Sequence, residues 1–210
     1  MRTRFTPDAR RAALWRRLTP YLEGFIPSDG SVLELGAGYC HFINNVHAPR
    51  RVAIDRAPEL LQWAAPGVDA RVTDVLEYLA TVPPAEFDFI FASNFLEHFE
   101  WPALEVMIEL IVRALSPRGR LALVQPNFRL APGRYFDDYT HRTIFTDTSL
   151  ADWLESKSFH VIKIEPRFLP LTVKTGMGRL SALVPLYLRL PWRPFAGQMF
   201  VLADRVPSGE

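Results

Sequence analysis

The sequence has few of the features that mark secreted, membrane or nucleic-acid-binding proteins. Cys40 is the only cysteine among 210 residues, which excludes an intrachain disulfide framework and favours a reducing, cytoplasmic location. No run of about 18 apolar residues occurs and the N-terminus lacks the apolar core of a secretory signal, so no transmembrane segment is expected. The formal net charge of +1 provides no broad basic surface, so nucleic acid is not an expected partner.

The composition and the N-terminal segment favour one domain. Apolar residues make up 49% of the chain, which is enough for one substantial core, so we expect a single domain over 1–210. The N-terminal segment is rich in arginine, as an organelle transit peptide would be. However, Leu14, Leu18 and Leu22 recur at helical spacing, which favours a retained amphipathic helical cap over 1–27 with its arginines in solvent.

Apolar strand-like runs alternate with helical segments along most of the chain. Runs such as "FDFIFA" and "LALV" are typical of parallel strands whose sheet is covered by helices on both faces. The hydrophobic pattern predicts strands at Ser31–Leu35, Arg51–Asp55, Ala70–Asp74, Phe87–Ser93 and Arg120–Pro126, and helices near His41–His47, Pro58–Ala65, Val75–Val82 and Trp101–Leu115. A further helix is predicted from "TDTS" to about Lys157, followed by strands at "HVIKIEP" and "GQMFVLADR".

A tight glycine turn follows the first predicted strand, in "SVLELGAGYCHF". At the carboxyl end of a parallel strand, such a turn lets the backbone approach a cofactor. A dinucleotide needs a third glycine in the pattern G-x-G-x-x-G, and His41 stands at that position. An NAD-linked oxidoreductase is therefore disfavoured without being excluded. The cationic amino-acid end of the phosphate-free S-adenosylmethionine suits the carboxylate of Glu34 beside the turn.

Acidic residues also end the next two predicted strands. Asp55 closes "RVAID", where its carboxylate can accept hydrogen bonds from the two hydroxyls of a ribose. Asp74 closes the third strand in the same way. An isolated aspartate after a strand is usually a helix N-cap, but Glu34, Asp55 and Asp74 together would line one edge of the sheet.

The segments between Val32 and Asn127 resemble the class I S-adenosylmethionine-dependent methyltransferases. The resemblance lies in "VLELGAGYC", "VAID", "TDVLEYL", "FDFIFASNFLEHF" and "LSPRGRLALVQPN", and is strongest to bacterial small-molecule methyltransferases with a "LEHF"-like segment. It implies a Rossmann-like α/β fold with a seven-stranded, mostly parallel sheet, helices on both faces and an antiparallel C-terminal strand beside "RLALVQP". Residues 28–127 would form the cofactor-binding half, and 128–210 the substrate-side half with an apolar insertion at 169–196.

The resemblance also implies a cofactor site. The residues of this site would surround the methionine end of S-adenosylmethionine, bind its ribose and contact its adenine. They are Glu34, Gly36, Gly38, Asp55, Arg56, Asp74, Val75, Ser93 and Asn94. The family pattern usually has another small residue where this chain has Cys40, and we expect a modest adjustment of the loop there.

Two histidines are the candidates for a general base. His98 in "NFLEHF" and His141 in "YFDDYTHR" follow the fourth and fifth strands, where their segments should overhang the cofactor. A base beside a hydroxyl or protonated amine accelerates its reaction by roughly two to four orders of magnitude. Asp138 is the third candidate catalytic residue, and the alternative for each is an ordinary solvated or hydrogen-bonded side chain.

Divalent ions accept carboxylate and imidazole ligands, and this part of the chain offers four such side chains: Asp137, Asp138, His98 and His141. Their spacing is not diagnostic, because adjacent aspartates rarely point into one site, so no metal is expected.

The apolar stretch within 180–195 has two interpretations. It can form a lid or interfacial patch for a lipid-like acceptor or a membrane surface, or pack over the sheet as an ordinary connection. With Pro185 inside eleven residues, Leu180–Leu190 is too short to span a bilayer.

These observations predict methyl transfer from S-adenosylmethionine to a small-molecule acceptor, with a saccharide or a lipid-linked metabolite as the candidates. The alternatives are an NAD-linked oxidoreductase and a non-catalytic protein that binds S-adenosylmethionine. The oligomeric state is not predicted.

Overall fold

The computed structural model describes residues 8–170 and 181–206. Seven strands form one sheet in the order β3-β2-β1-β4-β5-β7-β6. The strands are β1 Ser31–Leu35, β2 Arg50–Asp55, β3 Val68–Val72, β4 Phe87–Ser93, β5 Leu115–Pro126, β6 Phe159–Pro170 and β7 Ala196–Arg205, and the helices are α1 Ala9–Glu23, α2 Pro58–Leu61, α3 Val75–Thr81, α4 Trp101–Ala114, α5 Pro132–Tyr135, α6 Asp147–Glu155 and α7 Val184–Leu188.

The sheet topology confirms the predicted fold. Strands β1 to β5 pair in parallel, whereas β7 lies between β5 and β6 and is antiparallel to both. The carboxyl ends of β1, β2 and β4 therefore lie at one edge of the sheet, because parallel strands run in the same direction. This edge is where the predicted cofactor residues converge.

Apolar side chains on the two faces of the sheet form two cores. Alternation along β4 sends Phe89 and Phe91 to the face covered by α1, while Ile90 and Ala92 face α3 and α4. Leu18 of α1 is fully buried, so the predicted N-terminal helix does cover the core. Residues 1–7 of the expected cap and 171–180 of the expected apolar insertion lie outside the described residues.

The predicted helix at His41–His47 is wrong. This segment contains only a short 3-10 helix at Ile43–Asn45. The side chain of Asn45 donates to the carbonyl oxygen of His41 at 2.8 Å, and the side-chain oxygen of Asn44 accepts from the amide of Ala65 at 2.8 Å. Such side-chain bonds to the main chain compete with helical hydrogen bonds, so the turn after β1 stays compact.

The remaining errors concern the bounds of elements: β5, for example, begins at Leu115 and not at the predicted Arg120. Strand β3 ends at Val72 and not at the predicted Asp74, because Asp74 is the N-cap of α3. Helix α2 covers only Pro58–Leu61, and β6 extends to Pro170, beyond the predicted "HVIKIEP".

Candidate active site

The glycine turn after β1 places three residues in the left-handed region. Gly36, Gly38 and Cys40 have φ values of +63°, +51° and +57°. A Cβ built on Gly36 would lie 2.2 Å from Cδ2 of Phe95, whereas a Cβ on Gly38 would meet no heavy atom within 4 Å. The packing of the protein itself therefore requires the first glycine, while the second leaves open space beside the backbone.

Cys40 shows how the turn adapts to a residue larger than the usual small one. Its side chain is fully buried, and its amide donates to the carbonyl oxygen of Ala37 at 2.8 Å. The left-handed φ costs a residue with a side chain about 1–2 kcal/mol, which burial of an apolar thiol can offset. The expected modest adjustment of the loop is thus a left-handed residue that closes the turn.

Asp55 lies directly beside this turn. Its Oδ2 accepts from the amide of Gly38 at 2.8 Å, and its Oδ1 accepts from the amide of Ala57 at 2.9 Å. The side chain is half-buried, and each carboxylate oxygen has lone-pair capacity for a further donor. Asp55 is therefore oriented by two amides at the place where a ribose would be held.

Glu34 lies beneath the turn. Its exposed fraction is 5%, and its Oε2 accepts from the amide of Ile43 at 3.1 Å. Burial raises the pKa of Glu34 to about 8. The hydrogen bond from the amide of Ile43 lowers this pKa, and the negative charge of Asp55 raises it. The carboxyl group thus fastens the loop from below, and its role at the methionine end stays a prediction.

Asp74 lies at the start of α3, after the neighbouring strand β3. Its Oδ1 accepts from the amide of Leu76 at 2.8 Å, so it is a helix N-cap. Its Oδ2 lies 3.8 Å from Nη1 of the largely exposed Arg56. The side chain of Val75 is buried, so only its backbone can meet an adenine.

The loop after β4 is held to strands β5 and β7. Asn94 adopts φ +49° and donates its amide to the carbonyl oxygen of Val124 at 2.8 Å. Its side chain donates to Ser93 Oγ at 3.1 Å and accepts from Nε2 of Gln198 at 2.6 Å. Gln198 and Phe95 were not among the predicted site residues. The only signal for Gln198 was a polar residue in the apolar strand "GQMFVLADR", and no signal marked Phe95.

The loops after β4 and β5 bring His98 and His141 together. Their ring centroids lie 5.1 Å apart, and Nε2 of each ring lies 3.9 Å from Oε1 of Glu97. Glu97 is fully buried. We refer to Glu97, His98 and His141 as the histidine cluster.

Asp138 reaches the histidine cluster through Thr140. The hydroxyl of Thr140 donates to Oδ1 of Asp138 at 2.6 Å, and Thr140 Oγ1 lies 3.0 Å from Nδ1 of His98. Asp137 instead faces outward, with Oδ2 3.8 Å from Nε of Arg134. Glu97 was not among the predicted site residues, although it stands beside His98 in "LEHF".

In the described part of the apolar insertion, some apolar side chains pack into the core and others are exposed. Val184 and Leu188 of α7 are buried in the core beside α1, as the packing interpretation predicts. Leu186, Trp192 and Phe195 have exposed fractions of 60%, 61% and 90%, so an apolar surface remains on the outside. None of the helices in residues 8–170 and 181–206 is long and apolar enough to cross a membrane.

Comparison with known proteins identifies the family of this chain. A family model for a methyltransferase domain matches residues 8–164, so the chain belongs to the methyltransferase-domain family. A crystal structure of an S-adenosylmethionine-dependent methyltransferase from Archaeoglobus fulgidus is 18% identical, with a TM-score of 0.70, and the match covers 94% of this chain and 95% of that one.

Two other solved structures show the same fold. S-adenosylmethionine-dependent methyltransferases from Methanosarcina mazei and Mesorhizobium loti are 16% and 17% identical, with TM-scores of 0.65 and 0.62; each match covers 90% of this chain and 98% of the other. No curated protein matches the sequence. The chain is a class I methyltransferase, and its cofactor is S-adenosylmethionine.

The residues at the sheet edge fit this cofactor. The open space beside Gly38 admits a ligand against the backbone, and the oriented carboxylate of Asp55 offers acceptors for ribose hydroxyls. The site has no phosphate to hold, which agrees with the lack of a third glycine. The family match and this fit favour methyl transfer over the NAD-linked alternative.

Proposed function

We propose that this methyltransferase acts on a small molecule whose hydroxyl or amine enters beside the histidine cluster. The observation that carries this proposal is the packing of Phe95 against Gly36, because it places the segment that begins the cluster next to the cofactor turn. Glu97 follows Phe95 by two residues in that segment. This contact of Phe95 with Gly36 supports an acceptor site in which the loops after β4 and β5 overhang the predicted cofactor residues.

The cluster suits an acceptor that must lose a proton. When bound, S-adenosylmethionine supplies an electrophilic methyl group, so the protein has to align the acceptor and exclude water. Within the cluster, His98 and His141 are the side chains that would help the acceptor lose its proton. Asp138 positions His98 through Thr140. These roles apply to an oxygen or nitrogen acceptor, since both carry an ionisable proton.

Within the small-molecule class, we propose a saccharide or lipid-linked acceptor. The exposed apolar surface of Leu186, Trp192 and Phe195 supports a lipid-linked molecule or peripheral contact with a membrane surface. Arg189 is exposed on the same segment and would attract anionic headgroups. The single cysteine supports a cytoplasmic location.

Calorimetric titration with S-adenosylhomocysteine tests the cofactor assignment. Asp55→Ala removes acceptors for two ribose hydroxyls, and the loss of two such bonds costs on the order of 3 kcal/mol, or about 100-fold in affinity. Asp69→Ala is the matched control, because Asp69 is an exposed aspartate on β3 that pairs with Arg71. Circular dichroism must show that both variants are folded; unchanged affinity in Asp55→Ala would refute the assignment.

A labelling experiment tests turnover and the acceptor class. Purified protein with methyl-labelled S-adenosylmethionine is incubated with saccharide, lipid and amine fractions of a cell extract. We expect labelled product in a saccharide or lipid fraction that disappears in Asp55→Ala and persists in Asp69→Ala. Binding of S-adenosylhomocysteine without labelling of any fraction would favour the non-catalytic alternative.

A further inference from the structure

We infer that the histidine cluster binds a divalent transition-metal cation through Glu97 Oε1 and the Nε2 atoms of His98 and His141, with an open coordination position toward the acceptor. This reverses the expectation of no metal drawn from spacing alone. This inference deepens the proposed function. The cation site is defined by the cluster alone, and only the binding of the acceptor to the cation rests on the proposed function.

The ligand atoms already surround one point. Glu97 Oε1 lies 3.9 Å from Nε2 of His98 and 3.9 Å from Nε2 of His141, and one ligand atom from each residue lies within 4.8 Å of the others. Metal–nitrogen and metal–oxygen bonds near 2.1 Å in a tetrahedral site place ligand atoms about 3.4 Å apart. Inward movements of about half an ångström therefore complete the site.

The hydrogen bonds of His98 fix which ring nitrogen can bind a metal. Nδ1 lies 3.0 Å from Oγ1 and 3.3 Å from the carbonyl oxygen of Thr140. A carbonyl oxygen only accepts, and the Thr140 hydroxyl donates its own proton to Asp138, so Nδ1 must be the donor. In the neutral ring, Nε2 then carries the lone pair, and this atom lies 3.9 Å from Oε1 of Glu97.

The separation between the ring and the carboxylate suits a bridging cation. Nε2 of His98 and Oε1 of Glu97 lie 3.9 Å apart, which is longer than a direct hydrogen bond of about 3 Å and close to the spacing of two ligands of one metal ion. The Thr140–Asp138 chain on the far side of the ring is the kind of outer hydrogen bond that orients metal-binding histidines.

The two loops that supply the ligands are fastened to each other. The carbonyl oxygen of Glu97 accepts from the amides of Arg142 at 2.7 Å and Thr143 at 3.2 Å. The hydroxyl of Thr143 donates to the carbonyl oxygen of Phe99 at 2.7 Å. The protein's own hydrogen bonds therefore hold the two ligand-bearing loops together.

The donor set selects the class of ion. Two imidazoles and one carboxylate suit Zn²⁺, Co²⁺ or Fe²⁺, whereas Mg²⁺ and Ca²⁺ prefer oxygen ligands only. Three protein ligands leave a coordination position open, as in catalytic zinc sites. An oxygen of the acceptor can occupy it, and a hydroxyl bound there would lose its proton more readily.

Metal titration of the wild-type protein tests the site without reference to activity. Tag-free protein is dialysed against a chelator and titrated with Zn²⁺ by calorimetry and with Co²⁺ by visible absorption, with Mg²⁺ as the comparison ion. We expect one molar equivalent of Zn²⁺ and a Co²⁺ spectrum with nitrogen ligands. His141→Ala and Glu97→Gln should each weaken binding about 100-fold or more, and Thr140→Val about 10-fold.

Control variants separate this site from surface binding. His160→Ala removes an exposed histidine of β6 and should leave the stoichiometry and affinity unchanged. The near-isosteric Glu97→Gln serves where His141→Ala does not fold. Absence of stoichiometric Zn²⁺ binding in the wild type, or equal binding in Glu97→Gln and His160→Ala, would overturn the inference. S-adenosylhomocysteine binding by the metal-free protein reports the cofactor site separately, so failure of one proposal is distinguishable from failure of the other.

Discussion

Replacing Gly36 with alanine tests the packing of the cofactor turn against the loop after β4. The φ of Gly36 is +63°, and the new Cβ would lie 2.2 Å from Cδ2 and 2.6 Å from Cε2 of Phe95. Phe95 is half-buried and packs against Phe99 at a centroid distance of 4.9 Å, so its ring cannot move away without losing contacts.

Two contributions set the expected loss of stability. A left-handed alanine costs about 1–2 kcal/mol, and overpacking adds about 1–3 kcal/mol, so Gly36→Ala should lose roughly 2–5 kcal/mol. For a chain of this length, that corresponds to a fall of roughly 4–20 °C in the midpoint of thermal unfolding. Gly38→Ala has a similar φ but no steric contact, and should lose only about 1–2 kcal/mol.

Chemical denaturation of both alanine variants measures these losses. In a Phe95→Ala background, the additional cost of Gly36→Ala should fall to that of Gly38→Ala, because the colliding ring is gone. Gly38→Ala should instead weaken S-adenosylhomocysteine binding about tenfold or more, since its Cβ projects into the open space beside the turn. Equal destabilisation by Gly36→Ala and Gly38→Ala in the wild-type background would refute the reasoning.

Variants of Glu34 and Asp74 test the carboxyl groups that hold the site. Burial raises the pKa of Glu34 to about 8, well above the roughly 4.3 of an unperturbed glutamate, so the native state keeps a proton that the unfolded chain releases. The free energy of unfolding should therefore fall as the pH rises from about 5 to about 8, and Glu34→Gln should lose that slope in urea titrations; parallel profiles would contradict this. Asp74→Ala should lose about 1 kcal/mol as the N-cap of α3, whereas Asp74→Asn should lose much less because its side-chain oxygen still accepts from Leu76. Equal losses in denaturation would argue against capping.

The strands and their acidic ends were predictable from local patterns. The mostly apolar runs of β1 and β4 predicted both elements at Ser31–Leu35 and Phe87–Ser93, as observed, because burial on both faces leaves a strong signal. Asp55 was found for a similar reason, since a charged residue must leave the sheet where a buried strand ends. The helix predicted after β1 failed because Asn44 and Asn45 bond to the main chain, which hydrophobic periodicity does not register.

The histidine cluster was only half predictable. His98 and His141 stood out as ionisable residues after strands β4 and β5, but Glu97 did not, because its place in "LEHF" does not show that its carboxylate turns inward. That orientation depends on the 3-10 helix Leu96–His98 and on the main-chain bonds from the loop after β5.

By itself, the sequence determined the parallel sheet, the glycine turn and the acidic residues at its edge, since each follows from burial and backbone constraints over a few neighbouring residues. Only the tertiary structure decided which polar groups meet. The contact of Phe95 with Gly36 and the convergence of Glu97 with His141 join loops from different strands. Such meetings depend on left-handed turns and loop-to-loop hydrogen bonds, whose geometry is set by the folded chain as a whole.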